Sequence, residues 1–101
     1  MAINELKEVE MVQSGESIDF VSGALHESEL EGKTHYDLVL KNVIQHELFN
    51  SNLQKGEPVH VKVTTIDGRT GQAEMEVRTV NSADPDNNIV EMVCTQKIDL
   101  S

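Results

Sequence analysis

The chain has 101 residues, near the common size of one domain and too short for two. Hydrophobic residues make up 38% of it, with no Trp, one Tyr and two Phe, so the core must be aliphatic; two Pro and six Gly are too few for a disordered or low-complexity chain. A formal charge of −10, with ten acids and three bases in the first fifty residues, disfavours nucleic acid and anionic membrane and suits a basic partner.

The stretch from Ile3 to Val12 fits both a strand and the end of a helix. Ser17 to Leu25 reads as a strand that loosely aligns Ile18 with Phe20, and Glu27-Ser-Glu-Leu-Glu-Gly32 reads as an acidic turn closed by glycine. Lys33 to Lys41 places Tyr36, Leu38 and Leu40 on one face of a second strand. A short helix is expected near residues 43–54. Asn42 is the predicted N-cap, Gln45 its capping-box partner, Ile44/Leu48 and Phe49/Leu53 the apolar face, and Lys55-Gly56 the stop.

Strict alternation returns from Pro58 to Ile66, where Val59, Val61 and Val63 share one face. It resumes from Gln72 to Val80, where Ala73, Met75 and Val77 do the same. The intervening Asp67-Gly-Arg-Thr-Gly71 has hairpin length and composition. Asn81 to Asn88 is a cluster of turn formers and is predicted as a loop. A long last strand runs from about Ile89 to Leu100, with Gln96 marking a bulge or the margin of the core. The sum is one domain over residues 1–101. It is mainly β, a barrel or sandwich of five to six mostly antiparallel strands with one short helix.

The candidate chemistry is sparse. His26, His35, His46 and His60 show no metal-ligand spacing, although His35 and His60 both lie on polar strand faces where they could meet. One cysteine, Cys94, excludes an internal disulfide and reads as a core residue. Asp84-Pro-Asp-Asn-Asn88 fails as a calcium loop, since Ile89 and Thr95 stand where Gly and Glu are required. Arg69 among glycines offers a small anion nest, and Glu27, Glu29 and Glu31 form the densest acidic run. No nucleophile, Walker or dinucleotide motif is present, so neither catalytic residues nor a cofactor is implied. There is no leader-like segment and no apolar run of membrane-spanning length, and the cytoplasm is the expected compartment.

Two families are echoed. The order of three strands, a helix and further strands resembles the OB-fold barrel, which implies an oligonucleotide- or oligosaccharide-binding face. Three aromatic residues and the charge of −10 supply little of the stacking and basic groove such a face uses. Gly23-Ala-Leu25 with Tyr36-Asp-Leu-Val-Leu40 and Ile66-Asp-Gly68 resembles the signature segments of Sm-like RNA-binding rings. The spacing is longer here, Asp37 stands where that family carries an RNA-contacting Asn, and Arg is missing between Ile66 and Gly68.

These features give a ranked expectation. First stands a non-enzymatic acidic protein-interaction module of inhibitor, immunity-type, adaptor or assembly-subunit kind, binding a basic protein. Self-association through the edge of the last strand is a second mode of contact. A small-molecule or carbohydrate-binding barrel with or without enzymatic activity, using His35, Tyr36, His60 or Arg69, is the first alternative. A single-strand nucleic-acid binder of OB or Sm-like type is the second, disfavoured by charge.

Overall fold

The computed structural model describes residues 2–81 and 87–101. The core of the predicted loop and the failed calcium motif, residues 82–86, therefore lie outside the described residues. Eight elements follow in order: β1 (Ala2–Met11), β2 (Ser17–Ile18), β3 (Ser22–Leu30), β4 (Lys33–Lys41), α1 (His46–Lys55), β5 (Val59–Thr65), β6 (Thr70–Asn81) and β7 (Ile89–Cys94). Six strands close into an antiparallel barrel in the order β1-β3-β4-β7-β6-β5, with β5 returning to β1; the short β2 is an extra strand paired with β1 beyond the end of the β1–β3 ladder. Of the two expected architectures, the barrel is therefore the one adopted. It has one strand more than the five of an OB barrel, because β7 lies between β4 and β6.

Alternation explains the wall. Leu25, Leu38 and Met92 occupy one inward rung across β3, β4 and β7, and Leu40 and Val90 another. All five are fully buried. Val59, Val61 and Val63 fill the opposite side, with Met75 of β6 across from Val59. Leu6 and Val9 reach the interior from β1, although an irregularity between Leu6 and Glu8 shifts the register and reverses which parity faces inward. The doubtful N-terminal stretch is thus a strand, because its apolar residues have a partner on each side of the barrel seam.

The helix begins later than the sequence predicts, and Gln45 rather than Asn42 precedes it. Asn42 has a positive φ of 57°, and its N–H donates to the Asn88 carbonyl at 2.8 Å. The side chain of Asn88, itself buried, accepts from Val43 N–H at 2.7 Å and donates to the Val43 carbonyl at 2.9 Å. Residues 42 and 43 are thereby held as an extension of the sheet. Ile44, expected on the apolar helix face, is 74% exposed. Gln45 instead turns back onto Ser17 and Asp19, accepting from Asp19 N–H at 2.9 Å and donating to the Ser17 carbonyl at 3.1 Å. The other end is as expected: Gly56 adopts the left-handed conformation and its N–H closes the last turn. The helix packs on β6 and buries Phe49 completely.

Two further boundaries differ. Glu27 and Glu29 belong to β3, which runs on to Leu30; the turn is Glu31-Gly32 alone, both with positive φ. That is a two-residue hairpin turn in which Glu occupies a position usually given to Asn or Asp, so its signal is weak. The last strand ends at Cys94 rather than near Leu100. β7 is paired on both sides, with β4 and with β6, and offers no free edge for self-association.

Candidate functional site

Beyond Cys94 the chain leaves the ladder and then returns to it. Gln96 N–H donates to Cys94 Sγ at 3.4 Å, and Ser101 exchanges two backbone hydrogen bonds with Thr70 at 3.0 and 3.1 Å. Between these points Ile98 is buried and Leu100 packs against the core. Gly71 makes this crossing possible. A Cβ there would lie 2.9 Å from Ile98 Cγ2 and 3.0 Å from the Asp99 carbonyl oxygen. The sequence reading gives Gly71 a turn role; the structure gives it a packing role, as the place where the tail meets the wall.

Tyr36 belongs to this end of the barrel. Its ring is buried, and its hydroxyl donates to Glu27 Oε1 at 3.1 Å and lies 3.5 Å from the Ile98 carbonyl. Burial, reinforced by the Glu27 carboxylate, pushes the Tyr36 phenol above its ordinary pKa. Because the folded value is raised, the unfolded chain loses this proton first. The stabilisation is complete below about pH 10 and fades as pH rises through the folded value. Tyr36→Phe is expected to cost about 0.5–1.5 kcal/mol near neutral pH. It should also flatten the fall in stability above about pH 10, as read by urea unfolding of both proteins across that range.

Arg69 does not sit over an open anion nest. Its Nε donates to both oxygens of Asp67, at 3.2 and 3.0 Å, and one terminal nitrogen donates to Asn4 Oδ1 at 2.8 Å. Asp67 also accepts from the Thr65 hydroxyl, and Arg69 N–H donates to Thr65 Oγ1 at 3.0 Å. The hydroxyl of Thr65 and the guanidinium of Arg69 hold the Asp67 carboxyl below the ordinary aspartate range. That contribution is present above the ordinary value and is lost as pH falls through the lowered one. The loop is thus a latch that ties the β5–β6 turn to β1.

The histidines do not converge. His35 on β4 faces Ser28, and His60 on β5 faces Glu74. Two strands separate them in either direction around the barrel. Among the described residues no three His, Cys, Asp or Glu side chains come together in a metal-binding group. The acidic run is divided too. Glu27 is bound to Tyr36, while Glu29 and Glu31 are exposed at the hairpin tip.

The feature that the sequence reading passed over lies on the outside of β1, β3, β4 and β7. One outward rung carries Glu5, Ala24, Val39 and Glu91; the next carries Ile3, His26, Asp37 and Val93. In the first of these rungs an apolar pair, Ala24 and Val39, is flanked by two carboxylates; in the second the order is reversed. The β1–β3 ladder stops at Glu5–Ala24, and β1 finds its next partner on that side only at Val9–Ile18. An open groove of about 380 Å³ lies at this seam, lined by Glu5, Leu6, Val21, Ala24, Val39 and Lys41 among others. Val21 on its rim is 77% exposed. The opposite wall differs: there Glu10 lies across from Lys62 and His60 across from Glu74, a polar surface.

No family model, no curated protein and no solved structure matches this chain. Among the described residues, no helix is long and apolar enough to cross a membrane.

Proposed function

We propose that this protein is a non-enzymatic, acidic interaction module whose partner is a basic protein. The observation that carries the reading is where the charge resides. Of the acidic side chains among the described residues, only Asp67 and Glu76 form ion pairs with Lys or Arg. Each of these pairs takes one base with one acid, so the net charge of −10 stands undiminished and favours a cationic partner. A packed interior supports the same reading, since side chains fill the barrel, α1 packs on its wall and the C-terminal tail returns to the start of β6. Recognition is then a property of the outer surface, where complementary charge speeds encounter and selects partners.

The test is retention on the immobilised protein from a native lysate, followed by a salt gradient. Proteins of high isoelectric point should be held at low salt and released as ionic strength rises. Retention of nothing at low salt, with a monomer by light scattering, would remove the proposal.

A further inference from the structure

We infer that the patch formed by Ile3 and Ile66 is the contact point of the acidic module, and that its occupant is a basic protein. That protein sets one aliphatic or aromatic side chain between the two isoleucines and a Lys or Arg against Glu5. This deepens the reading of an acidic interaction module and rests on it. The first observation is the pair itself. Ile3, on an outward rung of β1, is 59% exposed, and Ile66, in the β5–β6 turn, is 63% exposed. Both line one open groove of about 530 Å³, room for a large side chain. Folding gains little from an isoleucine at position 66. Gly68 N–H donates to the Thr65 carbonyl at 3.0 Å, so Ile66 is the second residue of a tight turn, where proline or a polar residue usually stands.

The second observation is rigidity. Ile66 N–H donates to the Glu5 carbonyl at 3.0 Å, which pins the turn to β1. Arg69 is held by Asp67 on one side and by Asn4 on the other. Ile66 is thereby presented in a fixed position, and a partner that meets it has little ordering left to supply. With the Ile66 N–H already engaged, the contact is made by side chains and not by an added strand. Third is charge. Glu5, Asp67 and Arg69 are the charged residues of the lining. Asp67 and Arg69 neutralise each other in an ion pair, and Glu5 forms none among the described residues. The lining therefore carries one uncompensated charge, a negative one, beside two exposed isoleucines. A cationic group flanking an apolar one is its complement. Val21, by contrast, shares its groove with Lys41 as well as Glu5.

A random dodecapeptide display library selected on the immobilised protein tests this. The expected consensus holds one large apolar residue close to a Lys or Arg. A synthetic peptide of that consensus should shift the backbone amides of residues 3–5 and 65–69 in 15N spectra. Ile3→Thr and Ile66→Thr keep the β-branch at exposed positions and should each weaken the peptide by about tenfold. Glu5→Gln should weaken it by about threefold at low salt and make its salt dependence shallower. Ile44→Thr, at a still more exposed isoleucine by the helix entrance, should leave binding unchanged. An unenriched library, an acidic consensus, shifts confined to other residues, or binding indifferent to Ile3→Thr and Ile66→Thr would each overturn the patch. So would a concentration-dependent dimer that Ile66→Thr abolishes, since the occupant would then be a second copy. The two proposals fail separately. If the wild type and Ile66→Thr retain the same basic proteins up to the same salt, the patch is wrong and the acidic module stands. If neither retains any at low salt, the module itself is wrong.

Discussion

Asn88→Ala is expected to lower stability by about 2–5 kcal/mol, because it strands both main-chain groups of Val43. Val43 is 1% exposed, so water cannot replace the amide that now accepts from its N–H and donates to its carbonyl. An unsatisfied buried group costs about 1–3 kcal/mol, and two are created at once. Against the roughly 5–15 kcal/mol that holds a small domain together, this is a large share. Asn88→Asp should be no milder near neutral pH. Its carboxylate still accepts from Val43 N–H, but has no hydrogen to offer the Val43 carbonyl beside it. Acidification should then recover part of the loss, since a protonated Asp can donate again. Urea unfolding at two pH values, with the slope unchanged, checks both statements.

Gly71→Val should be about as damaging, by roughly 2–4 kcal/mol, for the opposite reason: it adds atoms where none fit. Even the first added carbon would meet Ile98 and the Asp99 backbone at 2.9 and 3.0 Å, and β6 is held in place by β5 and cannot retreat. The tail must lift, withdrawing Ile98 from the core and breaking the Ser101–Thr70 pair. Ile98→Ala alone should cost about 2–4 kcal/mol by removing the same buried contact. The two together should cost much less than their sum, because the first change already displaces what the second removes. Amide exchange at Ser101 should accelerate in Gly71→Val while β3 and β4 stay protected.

The sequence announces those elements in which one signal is uncontested. The β5–β6 hairpin is the best case: three valines alternate with polar residues, a glycine-bounded turn follows, and alternation resumes. The structure holds the two strands in that register, Val59 across from Met75 and Val61 across from Ala73. Gly56 likewise ended the helix where expected. Its start differs because Asn42 carries a cap signal, and Asn88, whose side chain holds Val43 in the sheet, lies forty-five positions from Val43. No local pattern reports such a partner. The packing role of Gly71 is hidden for a related cause, since a glycine beside a turn and a glycine beneath a crossing chain look alike in one dimension.

The apolar outer surface is partly legible in the sequence. Leu38-Val39-Leu40 and Met92-Val93-Cys94 are unbroken apolar runs in strands that otherwise alternate. A run of that kind places an apolar residue on both faces, and Val39 and Val93 are the outward members. What could not be read was that β4 and β7 are neighbours, so that the two outward valines share a surface with Ala24. His35 and His60 fail for the same reason in reverse. Their parity was right, but parity says nothing about which strands stand side by side.

Closure of the barrel through β1 and β5 also sets a timetable. The β3–β4 and β5–β6 hairpins join residues close in the chain and can form within microseconds. Val9, by contrast, pairs with Val63, and β7 must slot between β4 and β6 before the wall is complete. Until β5 has been synthesised, Leu6 and Val9 have no opposite wall, and β1 is a lone amphipathic ribbon on an unfinished chain. Distant pairing of this kind slows folding and prolongs the exposure of sticky strands. Here the ribbon carries Glu5, Glu8 and Glu10 on its outward side. These acids then keep nascent chains apart while the barrel waits to close.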